Sequence, residues 1–207
     1  MNAMKPAAIL AMSLALATAA TAQTAAPDAA ATPPAAAAEA APDAGAAPAA
    51  VPTTINLPQG PMDLTPDHME NGRWYNAEGI PTFKVENGEL DYASFSGYRR
   101  YHAECHVCHG PDGEGSTYAP ALKNSVVKTL DYYAFQEIVA SGKQTVGSGA
   151  NQVMPAFGTN KNVWCYVDDI YVYLLAHGTG AIPRGRPANK ASKSEEFAAQ
   201  ESACMDA

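Results

Sequence analysis

Apolar and small side chains return at helical spacing in three stretches of this chain. Between Ser94 and Cys105, Tyr98, Tyr101, His102 and Cys105 recur at offsets of three and four, and Gly97 lies four residues before Tyr101 on one face, which predicts a first helix. A second is predicted from about Leu130 to Ser141, with Asp131 as N-cap, Phe135, Ile138 and Val139 turned inward, and Gly142 as the stop. A third carries Val163, Tyr166, Val167, Ile170, Tyr173 and Leu174 and ends at Gly178. These three helices are expected to make the core of an all-α domain. Ahead of them the pattern is irregular, broken by Pro58, Pro61, Pro66 and Pro81. The exception is Thr82–Val85 and Leu90–Tyr92 on either side of Asn87-Gly88, a type I′ hairpin signal. Beyond Ile182 the chain turns to Pro, Gly, Lys, Ser and Glu and reads as a solvated tail.

The first fifty-two residues hold no aromatic side chain and are mostly Ala, Pro and Thr, a composition that cannot build a core. Lys5, the apolar run Ala7–Ala20 and the small residues Ala20 and Ala22 read as a secretory signal cut before Gln23. A retained anchor is the competing reading, but the run is short of the roughly twenty residues a bilayer span needs. Residues 23–52 then form a disordered Ala/Pro linker. Export places the chain in an oxidising compartment, taken to be the periplasm, with no membrane span after cleavage. The full chain has 13 Lys+Arg against 21 Asp+Glu and a formal charge of −8; losing residues 1–22 removes Lys5 and no acid. So acidic a protein is a poor nucleic-acid binder, and its charged partners are expected to be basic protein surfaces.

Cys105-His106-Val107-Cys108-His109 is the sequence's strongest chemical signal, the pattern for covalent attachment of a c-type haem. Each thiol adds across a vinyl group to give a thioether, and the spacing leaves His109 beneath the iron. A zinc centre would need two further ligands at metal-binding spacing, and none follows. A thioredoxin-like dithiol would need a βαβ setting, whereas this pair ends a helix and opens a Gly-rich loop.

The sixth iron ligand should be a thioether or a second imidazole, and Met154, in Val153-Met154-Pro155-Ala156-Phe157-Gly158, suits that role with a helix between it and His109. The competing reading of Met154 is a core filler. His68 and His177 are weaker candidates, and His102 and His106 lie too near the attachment site to reach the other haem face. The carbonyl of Pro120 is a candidate acceptor for the second ring N–H of His109, although a proline there could equally be stiffening a loop. Cys165 and Cys204 remain. They could bridge, pinning the tail to the third helix, or stand as a buried thiol and a free one.

The runs Tyr101–Leu122, Asn151–Gly158 and Asn162–Tyr171 resemble class I cytochrome c. More specifically they resemble the cytochrome cL group and its four-cysteine, methanol-metabolism-related relatives, over about residues 73–187. The resemblance implies a class I cytochrome c fold with a small N-terminal hairpin extension, in which Gly97, Tyr101 and Tyr173 mark the crossing of the first and last helices. It implies one haem c held by Cys105 and Cys108, axial ligands His109 and Met154, and a paired role for Cys165 and Cys204. It further implies a non-enzymatic carrier of single electrons, with a quinoprotein (PQQ-dependent) methanol or alcohol dehydrogenase as donor and a downstream cytochrome c or oxidase as acceptor. The expected organisation is a signal at 1–22, a linker at 23–52, an extension with hairpin at 53–93, a cytochrome c domain at 94–187 and a tail at 188–207. Two other functions fit the haem motif: a general periplasmic cytochrome serving another dehydrogenase or an oxidase, and a haem peroxidase or ligand sensor with a labile Met154.

Overall fold

The stretch ahead of the first helix folds into a series of short paired strands, of which the Asn87-Gly88 hairpin is one part. The computed structural model describes residues 51–146 and 151–207; the expected signal and almost all of the expected linker lie outside the described residues. Strands β1 (Thr54–Leu57) and β2 (Gly60–Asp63) pair antiparallel, and β3 (His68–Glu70), β4 (Arg73–Tyr75) and β5 (Pro81–Thr82) form a sheet with β4 in the middle. Strands β6 (Val85–Glu86) and β7 (Glu89–Leu90) close around Asn87 and Gly88, whose φ angles of 52° and 77° suit a type I′ turn. The all-α expectation is therefore corrected: the helical domain carries short, separate antiparallel pairings as well as helices. Each pairing lasts only two to four residues, too short for alternation to stand out, yet Ile55, Leu57, Met62 and Leu64 are buried in the common core.

Helix α1 (Tyr92–Glu104) starts where the Asp91 carboxylate accepts from the Ser94 amide at 2.8 Å, the Ser94 hydroxyl at 2.7 Å and the Lys84 amide at 2.9 Å. A single turn, α2 (His106–His109), follows, then α3 (Leu122–Lys128) and α4 (Tyr132–Ser141). Helix α4 begins as expected, with Asp131 accepting from the Ala134 amide at 2.8 Å. Strands β8 (Lys143–Val146) and β9 (Asn151–Met154) then pair antiparallel. The third predicted helix is two: α5 (Lys161–Trp164) and α6 (Val167–Gly178), separated where Tyr166 leaves helical geometry at φ −129°. Among the described residues no helix is long and apolar enough to cross a membrane.

Helix α6 is the centre of the fold, with Ile170, Tyr171, Val172, Tyr173, Leu174 and Leu175 all buried. Burying side chains of this size is worth about 1.5–3 kcal/mol each. Its closest approach is to α1 at Gly97, where a Cβ would stand 1.7 Å from the Asp169 carbonyl oxygen. Tyr101 and Tyr173 meet beside it with ring centroids 5.6 Å apart.

The tail is not a solvated coil. Helix α7 (Glu195–Asp206) is capped by the Ser194 hydroxyl, which accepts from the Phe197 amide at 3.1 Å. Phe197 is buried edge-on to Tyr92 at 4.9 Å, with the Arg73 guanidinium 4.4 Å over its ring. Cys204 of α7 forms a disulfide with Cys165, across Cα atoms 5.7 Å apart. Beneath this helix Arg73 Nε donates to Asp169 at 2.7 Å, and the Ser96 hydroxyl donates to the other carboxylate oxygen at 2.7 Å. Burial pushes the Asp169 carboxyl up to about 7, against the pull of Arg73 and Ser96. That buried group joins β4, α1 and α6.

Candidate functional site

Helix α1 does not stop cleanly at Cys105 but bends into α2. The Cys105 amide donates to the Tyr101 carbonyl at 2.8 Å, while the Cys105 carbonyl accepts from the amides of Cys108 at 3.2 Å and His109 at 3.1 Å. The whole attachment segment is one helical turn, which places the sulfurs of Cys105 and Cys108 three residues apart along one side. Cys105 is partly buried and Cys108 exposed; both are free thiols, the other two cysteines being bridged. Burial pushes the Cys105 thiol up to about 12.

His109 is buried, and its Nδ1–H donates to the Pro120 carbonyl at 3.0 Å. A carbonyl can only accept, so this bond fixes the tautomer and leaves the lone pair on Nε2. Burial holds the imidazole below its usual pKa and keeps that lone pair free of a proton. The surrounding loop is fastened from several directions. The Gly115 amide donates to the His109 carbonyl at 2.7 Å, the Tyr101 hydroxyl to the Gly110 carbonyl at 2.6 Å, and the Ser116 hydroxyl to the Cys108 carbonyl.

Met154 closes β9, opposite Lys143 of β8, and is half-buried against the same core cluster as Cys105, Leu122 and Phe157. The segment after it is tied to α4, with the Phe157 amide donating to the Val139 carbonyl at 2.9 Å and the Gly158 amide to that of Ala140 at 3.1 Å. Gly142 makes this possible. It ends α4 at φ 75°, and a Cβ there would lie 2.5 Å from the Met154 carbonyl oxygen.

Two contributions were not read from the sequence. Tyr101 acts through its hydroxyl as well as its ring. Asp112, buried at φ 57° just past the motif, accepts from the Tyr173 hydroxyl at 3.2 Å and the Gly185 amide at 3.2 Å, with Arg184 Nε 3.5 Å away. The Pro111-Asp112-Gly113 turn chemistry was the available signal for Asp112. Of the other candidates, His68 pairs with Asp67 at 3.0 Å on the surface, and His177 is buried with Nδ1 3.4 Å from the Ile182 carbonyl and Nε2 3.7 Å from Glu114.

The residues present fit a covalently bound haem: two free thiols on one turn, an imidazole with its Nε2 lone pair available, and a soft thioether on a fixed strand. Among the described residues no group of three or more His, Cys, Asp or Glu side chains gathers as a metal site.

Known proteins decide the family. The chain is 70% identical over 158 residues, 76% of its own length and 69% of the relative's, to cytochrome c-553I of Paracoccus denitrificans. The chain belongs to the c-type cytochromes. This cytochrome is also 36% identical over 110 residues to cytochrome c-555 of Methylococcus capsulatus, covering 53% of this chain and 80% of that one. Its residues 95–174 match the family model described as cytochrome C oxidase, cbb3-type, subunit III. Among solved structures, the c-type cytochrome XoxG from Methylobacterium extorquens AM1 aligns with a TM-score of 0.62 and 51% identity, over 68% of this chain and 86% of that one. The cytochrome thus carries haem c and is an electron carrier rather than an enzyme.

Proposed function

We propose that Cys105 and Cys108 hold the haem through thioether bonds, that His109 Nε2 and Met154 Sδ are its axial ligands, and that the cytochrome works in the periplasm. The reading rests chiefly on the hydrogen bond from His109 Nδ1 to Pro120, which orients the ring and raises its basicity toward a metal at Nε2. The bound group would supply one-electron ferric–ferrous chemistry. Around it the chain's residues keep geometry constant: Ser116, Tyr101 and Gly115 hold the backbone on either side of His109, and α4 holds the Met154 segment. A thioether ligand favours the reduced state and suits an acceptor of electrons.

The donor proposed is a quinoprotein alcohol dehydrogenase, whose reduced quinone gives up its two electrons singly to two molecules of this protein. The acceptor is a further cytochrome c or an oxidase. Supporting this are the cytochrome cL-like motifs at Tyr101–Leu122, Asn151–Gly158 and Asn162–Tyr171. The test is stopped-flow mixing of ferric holoprotein with such a dehydrogenase and its alcohol. Fast, saturable reduction requiring both enzyme and alcohol is expected. A haem that stays oxidised with both present would remove this donor and leave the carrier.

A further inference from the structure

The chain is acidic overall, yet four of its 13 Lys and Arg lie within ten residues. Arg184, Arg186, Lys190 and Lys193 stand in the segment 183–194, which contains no Asp or Glu. A run of this kind is ordinarily a mobile, solvated stretch. Here it is a fixed strap. At one end the Gly185 amide donates to the buried Asp112 carboxylate at 3.2 Å. Further along, the Leu90 amide donates to the Asn189 carbonyl at 3.2 Å and the Ala191 amide to the Leu90 carbonyl at 2.8 Å. Pro187 is buried, and the strap lies inside the loop closed by Cys165–Cys204.

Aromatic rings of the core hold the cations in place. Arg186 sits 5.3 Å over the Phe95 ring, and Lys190 sits 5.0 Å from Phe95 and 5.7 Å from Tyr92. Exposed Arg99, four residues along α1 from Phe95, adds a fifth cation on that helix face. Arg184 is partly answered by Asp112 and Glu114, and Lys193 by Glu201. Among the described residues Arg186 and Lys190 have no carboxylate within 4 Å.

We propose that the strap 183–194, with Arg99 beside it, is a docking surface for a partner protein that presents clustered carboxylates. The remainder of this acidic chain would repel such a partner, so the strap selects one orientation and brings the partner to the Asp112 loop, three residues beyond His109. An anionic lipid surface suits the strap less well. No large apolar side chain is exposed between residues 183 and 197 to enter a bilayer.

The test uses ferrous ¹⁵N-labelled holoprotein titrated at low salt with a glutamate-rich peptide, and separately with phosphatidylglycerol vesicles. Shift changes confined to residues 184–193 and the Tyr92–Arg99 face are expected, lost on adding salt. Affinity should fall on the order of ten-fold in R186E/K190E and less in R186Q/K190Q, while Lys128→Glu on α3 leaves it unchanged. Each variant's haem spectrum and melting temperature report that it is folded. Shift changes spread over the surface, an equal loss in Lys128→Glu, or no peptide binding would overturn the proposal; vesicle binding without peptide binding would overturn it in favour of lipid. Binding needs no electron transfer, so this result is separate from the fate of the proposed donor.

Discussion

Replacing Gly97 with Ala puts one methyl group into the crossing of α1 and α6, at a place where the structure fixes what it meets. The new Cβ would lie 1.7 Å from the Asp169 carbonyl oxygen and 2.9 Å from Tyr173 Cβ. Neither neighbour can turn away, because one is backbone and the other is the root of a side chain buried to 1% exposure. The helices must separate, at an overpacking cost of about 1–3 kcal/mol. Separation also pulls Ser96 from the buried Asp169, adding about 1.5–3 kcal/mol for a hydrogen bond to a charged group. Helix propensity returns about 1 kcal/mol. A net loss of about 3 kcal/mol follows, which for a domain of this size lowers the melting temperature by roughly 6–12 °C. Guanidinium unfolding of the ferric holoprotein, followed by far-UV circular dichroism and haem absorbance, measures it. The comparison is Gly180→Ala, where nothing lies within 4 Å but φ is 78°, for a cost of about 1–2 kcal/mol. If Gly97→Ala costs no more than Gly180→Ala, the close crossing contributes no specific energy and the reasoning fails.

Two further outcomes follow from the site and its surroundings. If Met154 is the axial ligand, Met154→His lowers the reduction potential by a fraction of the roughly 0.8 V that axial ligands command, and reduced Met154→Ala binds carbon monoxide rapidly where the parent protein does not. An unchanged potential would remove Met154 from that role, and rapid binding by the parent would favour a ligand sensor. His177 is held below its ordinary pKa of 6.5 by burial, so the unfolded chain takes up its proton at higher pH than the folded one. Its contribution is complete above pH 6.5 and is lost as pH falls through the lower folded value. His177→Phe, which keeps a ring beside Tyr173, should flatten the acid limb of a stability–pH curve; an unaltered slope would place the proton uptake elsewhere.

The Cys105–His109 motif is legible in the sequence because it is local: Cys105, Cys108 and His109 fall within one turn of helix. Helices α1, α4 and α6 announced themselves through periodicity, and the ends of α4 and α6 through Asp131, Gly142 and Gly178. What escaped notice had weak local signals and tertiary causes. Helix α3 buries Val126 alone, and α7 buries Phe197 alone, so neither shows an apolar stripe; α7 is held by a ring packed under Arg73 and by a covalent bond to α5's end. The strands of the extension exchange too few residues for a period of two to emerge. Net charge is likewise a sum over the chain and does not display the local run of cations between Pro183 and Ser194.

The Cys165–Cys204 bridge gives the assembly of this protein a chemical order. On the thioether attachment proposed above, Cys105 and Cys108 must stay reduced until they react, whereas Cys165 and Cys204 are oxidised to join. The newly made chain therefore has to pass through two opposite redox treatments, and any bond that crosses the pairs, such as one from Cys108 to Cys204, spoils both products at once. Spacing along the chain keeps the pairs distinct: the first sits within one helical turn, while the second joins the end of α5 to α7 across 39 residues. The bridge, unlike the local Cys105–His109 turn, depends on the fold, since its two cysteines lie 39 residues apart and meet only where α7 packs beside α5.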